Sequence, residues 1–335
     1  MRRKALAILF VGLCMVVSIY GGQKAEGKPI VLRWGHVVTE DTPLHISALR
    51  MAEIVEQRSN GQIKIEIYPN SQLGTNPQMV EALQVGALDM HMPAWAVMYG
   101  FTTTEKTKLL DLPYLFKNEK AAEAVIDGEI GEELRKSFEE VGIIGLGCWT
   151  QGWRHVTANK EIRKPEDFKG LKIRTMESEL HMDHFKTLGA SPVPMAFSEV
   201  FTSLQQGVID AQENPYTNIY TMGFYRVQKY INQTAHLYDP TAILMAKSTW
   251  DRLSDEQKKI IKEAEREARV YERELTRKND TEVKEKLKDY GNIIIELTPE
   301  ERTALREAVQ PMYDKWTPRI GKELLQKVVE AQKDF

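Results

Sequence analysis

Gln62-Ile-Lys-Ile-Glu-Ile-Tyr68, then Asn76-Pro-Gln-Met-Val-Glu-Ala-Leu-Gln-Val85, then Leu88-Asp-Met-His-Met92, changes its hydrophobic period twice within about thirty residues. The first segment alternates strictly, as a half-buried strand does. The second has helical spacing and opens on Asn76-Pro77, read as an N-cap followed by proline at the first helical position. The third is short, apolar and again extended. Strand, helix and strand at this spacing make a parallel βαβ unit.

The same alternation continues in both directions. Ile30-Val-Leu-Arg-Trp34 is a strand, and residues 44–59 carry Leu49, Ala52, Ile54 and Val55 at helical spacing. Residues 119–140 read as helix and Ile143–Trp149 as a buried strand. In the second half, Leu171–Thr175, Ser191–Met195, Val208–Ala211 and Thr241–Lys247 read as extended, with helices over 178–188 and 198–206. Ser254-Asp-Glu-Gln257 is a capping box. It opens a helix predicted to run to about Lys288, far beyond the usual 11–12 residues, and so a strut crossing more than one domain. Asn292–Leu297 is a late strand, and Thr298-Pro-Glu-Glu301 caps a terminal helix. Two α/β lobes sharing crossovers follow.

The chain has 335 residues, 42% of them apolar and 28% charged, which is a globular balance with material for two domains. Its 45 basic and 48 acidic side chains give a net charge of −3. No basic surplus is present to neutralise phosphates, so a nucleic-acid partner is not expected. Met1-Arg-Arg-Lys4 is cationic, the 18 residues Ala5–Gly22 are uncharged, and Gln23–Lys28 is polar. This is the pattern of a secretory signal over residues 1–27, with a retained N-terminal anchor as the alternative. Cys14 falls in the leader. Cys148 is then alone, which rules out an intrachain disulfide and favours a packed, inert thiol.

Catalytic motifs are not found. There is no G-x-S-x-G, P-loop or H-E-x-x-H, and the glycines of Gly142–Gly147 have the wrong offsets for a dinucleotide fingerprint. His181-Met-Asp-His184 has no evident third metal ligand and reads as surface histidines. The charge-rich stretch 256–288 reads as a solvated helix face. Two arginines are unusual. Arg174 lies inside an apolar strand and Arg154 follows Gly152-Trp153 at a strand start. Their forks suit either a carboxylate ligand or an internal salt bridge.

From about Ile30 to Leu325 the chain resembles the substrate-binding subunit of the tripartite ATP-independent periplasmic (TRAP) transporters, the DctP-like family. The residues that carry this are Gly35-His-Val-Val with Asp41-Thr-Pro43, Tyr68-Pro-Asn-Ser-Gln-Leu-Gly74, Asp111-Leu-Pro-Tyr-Leu-Phe116, Gly152-Trp-Arg154 and Pro165–Arg174. The most specific block is Leu188-Gly-Ala-Ser-Pro-Val-Pro-Met-Ala-Phe-Ser-Glu-Val200, continuing through Leu204-Gln-Gln-Gly-Val-Ile-Asp210 to Gln212-Glu-Asn-Pro215.

The resemblance implies a two-lobed periplasmic-binding-protein-like α/β fold with a hinge. Each lobe would be a mixed sheet flanked by helices, with a long helix spanning both. The lobes are expected at 28–151 plus 240–279 and at 152–239 plus 280–325. Such proteins close on a solute. Arg174 would make the bidentate salt bridge to a ligand carboxylate, Arg154 would support it, Asn214 would donate to the same end, and Phe197 would pack on the ligand body. His36, Asn76, Trp95 and Trp149 are candidates for the opposite lobe, each with ordinary packing or capping as the alternative.

Two departures matter. Ala94 and Val97 stand where sialic-acid-binding members carry an acidic residue and an arginine, which argues against sialic acid. Ala211 replaces a usual glycine. The expected function is capture of a small organic acid (a dicarboxylate, sugar acid or keto acid) and its delivery to the small and large TRAP membrane subunits. The protein would act as a monomer in the periplasm, with no cofactor, no metal and no catalysis. The alternatives are a ligand-sensing subunit for a signalling receptor and a periplasmic enzyme using Glu199 or His155 as base.

Overall fold

The computed structural model describes residues 28–335; the expected leader, 1–27 with Cys14, lies outside the described residues. Strand β1 (Ile30–Gly35), helix α1 (Pro43–Arg58), strand β2 (Ile63–Tyr68), helix α2 (Asn76–Gln84) and strand β3 (Met90–His91) open the chain. β1 runs parallel to β2 and to β3, as the βαβ reading requires. The 119–140 segment is split: α3 (Glu119–Asp127) and α4 (Glu129–Lys136) meet at Gly128 and lead into β4 (Ile143–Ala158). Then follow β5 (Lys172–Thr175), α5 (Glu179–Thr187), β6 (Ser191–Pro194), α6 (Val200–Gln205), β7 (Ala211–Asn214), α7 (Tyr216–Thr221) and β8 (Tyr230–Ala246). After α8 (Lys247–Arg252) come α9 (Asp255–Tyr290) and β9 (Ile293–Glu296). The expected terminal helix is three: α10 (Pro299–Ala308), α11 (Gln310–Ile320) and α12 (Lys322–Ala331).

The strands form one mixed sheet in the order β2-β1-β3-β8-β4-β7-β5-β6, with β9 on β8. Its two halves are joined by β4 and β8, antiparallel and 16 and 17 residues long. Both are longer than the sequence suggests, because glycine and proline interrupt the apolar pattern at Gly145, Gly147, Gly152 and Pro240. Those interruptions coincide with register shifts between Gly145 and Gly147, Thr150 and Trp153, and Arg154 and Val156. The ladder absorbs them as bulges, which increase local twist without ending the strand.

Helix α9 starts at the Ser254/Gln257 capping box and ends at Gly291 in the left-handed region (φ +107°). Its first half, through Ile260, Ile261, Ala264 and Ala268, packs into the core built on Leu32, Trp34, Met51 and Val55. Its far end, through Val283 and Leu287, packs into a separate core with Val200, Ile219, Phe224 and Ile231. The helix therefore belongs physically to both halves. The expectation of a solvated face is corrected in one respect: Glu265, Glu272 and Arg273 are buried against β4 and α3 rather than hydrated.

Candidate functional site

Between the two halves lies a narrow cleft with a free volume of about 40 Å³. Loops and strand ends of both halves line it. Val37, Val38, Leu44, Asn76, Met92 and Ala94 come from the first half, and Arg174, Met176, Phe197, Asn214 and Asn218 from the second. Gln151 and Arg154, in the shared strand β4, form its floor. An outer mouth shares Val37, Asn76, Arg174 and Phe197 and adds Ser71, Thr75, Glu177 and Ser198.

Arg174 projects from β5, whose place beside β6 and β7 sets it at a strand end facing the cleft. The Nε and Nη2 groups both donate to the carbonyl of Met195, at 3.0 and 2.7 Å. The guanidinium sits 5.9 Å from the Phe197 ring, within cation–π range. Among the described residues no carboxylate lies within ion-pair distance of it, although the side chain is only 3% exposed. Burial is the largest influence on its acidity. With Arg154 nearby, it pushes the guanidinium down to about 10 against the opposing pull of Glu213. A cation in that condition can take an anion as its missing counter-charge.

Arg154 is the opposite case. Its Nε donates to Glu213 Oε2 at 2.5 Å, its Nη2 to Glu213 Oε1 at 2.9 Å and to the Glu213 carbonyl at 2.6 Å, and its Nη1 to Asp239. Burial disfavours the charged form, but the two carboxylates outweigh it and raise the guanidinium above its ordinary value. Burial also raises Glu213, yet Arg154, His181 and His236 together hold it well below the carboxylate range. Asp239, with fewer donors, is pushed by burial up to about 6. Arg154 is thus spent inside the protein. Its Nη2 also donates to Asn214 Oδ1 at 3.2 Å, so its contact with the cleft is to hold Asn214 in place.

Asn214 is further fixed by donating to Gln212 Oε1 at 2.5 Å and accepting from Asn218 Nδ2 at 3.2 Å. Asn218 also donates to Gln151 Oε1 at 2.9 Å, and Gln151 donates to Asp239. This amide network fixes the geometry on one side of Arg174. Glu213, Asp239, Gln151 and Asn218 were not singled out in the sequence, and only the run Gln212–Asn214 gave a signal near them.

Asn76 lines both the cleft and its mouth. The cap of α2 is Thr75, whose hydroxyl accepts from Gln78 N–H, and not Asn76 as the sequence suggested. The Asn76 side chain is thereby released toward the cleft, where its Oδ1 is shielded and has no partner. Phe197 lies in a short helical turn and meets Phe224 edge-on at 6.1 Å.

Three candidates are not brought to the cleft. Trp95 is buried, donates its indole N–H to the Thr107 carbonyl at 2.8 Å and packs on Phe138. Trp149 donates to Glu265 at 3.2 Å and packs on Trp34. His36 is buried against His45, with ring nitrogens 3.0 Å apart. All three serve the core, because each polar tip is consumed or enclosed there. His181 and His184, expected on the surface, are both buried. His181 Nε2 meets Asp111 Oδ2 at 2.8 Å.

A larger hollow, of about 380 Å³, runs over the surface between α4, β4 and α9. Lys136 pairs there with Glu132 and Arg269 with Asp127, while Arg135, Lys262 and Arg266 have no ion pair but are partly or fully exposed to water, unlike the buried Arg174. Cys148 is buried and its thiol is pushed up to about 12 by that burial, which keeps it unreactive. No helix of the described residues is long and apolar enough to cross a membrane.

Residues 34–319 match the family model of DctP, the bacterial extracellular solute-binding proteins of family 7. Among curated proteins, the chain is 37% identical to the C4-dicarboxylate-binding periplasmic protein DctP of Rhodobacter capsulatus, over 92% of each. Among solved structures it resembles the sugar acid binding protein of Advenella mimigardefordensis in complex with galactonate, with a TM-score of 0.88 and 33% identity over 92% of this chain and 99% of that one. A TRAP periplasmic solute-binding protein of Shewanella oneidensis with bound succinate is equally similar, at TM-score 0.88 and 33% identity over 91% and 100%. A two-lobed α/β fold, a cleft carrying a buried arginine without an acidic partner, and matches over nearly the whole described chain place this protein in the DctP family of extracellular solute-binding proteins.

Proposed function

We propose that this chain is a periplasmic receptor that captures a small organic acid through the guanidinium of Arg174 and delivers it to the small and large membrane subunits of a TRAP transporter. It is exported by a leader within residues 1–27, works as a monomer, and catalyses nothing. The observation that carries this reading is Arg174 itself, buried at the cleft without an acid partner. A ligand carboxylate supplies the missing counter-charge, Asn214 donates beside it, and Phe197 covers the ligand body. Arg154 acts one step back, by orienting Asn214. The ligands of the relatives (a C4-dicarboxylate, galactonate and succinate) are all carboxylates, in keeping with this.

The lobes are assigned to 28–151 plus 240–279 and to 152–239 plus 280–325. In support, the 151/152 and 239/240 boundaries fall where the β4–β8 register shifts between Thr150 and Trp153. The test is thermal unfolding of residues 28–335 after removal of co-purified ligand by unfolding and refolding, against a library of organic acids. Ligand at a hundred times its Kd adds about 2.7 kcal/mol. The expected result is a large rise in Tm with at least one carboxylate and none in Arg174→Ala. A cooperative melt unmoved by every carboxylate would overturn the proposal.

A further inference from the structure

The wall of the cleft facing Arg174 is apolar. Val37, Val38, Leu44, Met92 and Ala94 line it from the first half, and Met176 adds to it from the second. Among the described residues the cations lining the cleft and its mouth are Arg174 and Arg154, and Arg154 is already matched by Glu213 and Asp239. The mouth carries a negative charge instead, the exposed Glu177.

The start of α2 also lines the mouth, and a helix start is a place where an anion can be held. Its cap is closed, since Gln78 N–H is taken by Thr75 Oγ1, Thr75 N–H is taken by Gln78 Oε1 at 2.9 Å and Pro77 has no N–H, which leaves the single N–H of Asn76 in a mouth shared with Glu177. What this end of the cleft does offer is one shielded acceptor without a partner, Asn76 Oδ1.

Resting on the receptor reading above, we infer that the ligand is a monocarboxylate with a compact, branched apolar body and a hydroxyl that donates to Asn76, rather than a dicarboxylate or a polyhydroxylated sugar acid. A second carboxylate would be enclosed against hydrocarbon with no counter-charge and within reach of the field of Glu177. A row of hydroxyls would lose water against the same wall, where Asn76 is the one polar side chain that the first half contributes. An apolar body loses nothing there, and one hydroxyl satisfies Asn76.

The test is calorimetric titration of the ligand-stripped protein with three sets of acids: methyl-branched C5–C6 monocarboxylates with a hydroxyl at C2, C3 or C4 or with none, succinate, and gluconate. The expected result is that a hydroxylated branched monocarboxylate binds at least tenfold more tightly than succinate or gluconate. Its advantage over the deoxy analogue, about tenfold for one hydrogen bond, should disappear in Asn76→Ala. Asn76→Lys, which places a cation on the empty side, should raise succinate affinity at least tenfold. Tighter binding of succinate or gluconate by the unaltered protein would overturn this inference and leave the receptor reading standing. Equal loss of the hydroxylated and deoxy acids in Asn76→Ala would overturn the assignment of the hydroxyl. Binding of no carboxylate at all would instead remove the receptor reading on which it rests.

Discussion

Replacing Arg154 by methionine strips Glu213 and Asp239 of the counter-charge that both share. Two carboxylates would be left enclosed, a loss of about 3–5 kcal/mol when one partner of a buried pair is removed. Arg174→Met has no such consequence, because no carboxylate depends on Arg174. With no acid partner to strand, the variant should melt at about the same temperature without ligand while losing its response to ligand. Denaturant titration of the two variants without ligand checks this, and comparable destabilisation would mean that Arg174 is structural as well. The same buried network sets a pH dependence through His181. Burial, the largest influence, lowers its pKa, but Asp111 at 2.8 Å and Glu213 at 3.9 Å outweigh it and hold the imidazole at about 9. A pKa raised from 6.5 contributes stability that is complete below pH 6.5 and lost as pH rises through 9. The stability advantage of the unaltered protein over His181→Gln should therefore shrink between pH 6.5 and 9. A constant gap would show that His181 is neutral there. At this scale the sequence marked both arginines as out of place but not their different roles. Glu213 follows Arg154 by 59 residues and Asp239 by 85, and no local spacing reports such a pairing. Trp95, Trp149 and His36 lie away from the cleft for a similar reason: the packing that encloses them is tertiary.

Elements were more legible than residues wherever a local rule determined them. Capping boxes at Ser254 and Thr298 placed the starts of α9 and α10, and strict alternation placed β2. The lengths of β4 and β8 were not legible, because glycines that look like strand ends are close-approach positions within a continuing ladder. Gly147 shows the cause. A Cβ there would stand 1.9 Å from Glu265 Oε1 on α9. A flexible carboxylate could ordinarily retreat, but Glu265 is 1% exposed and accepts the indole N–H of Trp149 at 3.2 Å, with Arg269 at 3.7 Å. Gly147→Ala should therefore cost about 1–3 kcal/mol, the range for overpacking, through separation of α9 from β4. Combining it with Glu265→Ala, which shortens the opposing side chain, should cost less than the sum of the single changes. Additive losses would place the strain elsewhere.

At the scale of the whole molecule, alternation of strands and helices was enough to indicate two α/β halves. It could not indicate that β4 and β8 carry one sheet through both, and that continuity bears on how a solute enters. In the conformation described, Arg174 is 3% exposed and the cleft has a free volume of only about 40 Å³. A carboxylate with a body larger than that volume reaches the guanidinium most readily when the halves part. We therefore predict a second, open conformation for capture, with ligand binding the closed one more tightly because there both walls contact it. The continuous strands limit that motion to bending. The bulged stretch from Thr150 to Val156 is where bending costs least, since ladder bonds are already interrupted there and Gly152 supplies a positive φ of +82°. Helix α9, anchored in both cores, must flex or shift with it. Small-angle scattering of the ligand-stripped protein should accordingly give a radius of gyration larger than that of this conformation. A saturating carboxylate should reduce it to the value calculated for the closed form. Arg174→Ala should remain expanded under the same addition, because without the guanidinium the ligand has no preference for closure to exert. An unliganded protein already as compact as the closed form would mean that the cleft admits its solute through the narrow mouth at Ser71, Thr75 and Ser198, and that the register shifts in β4 serve twist rather than motion.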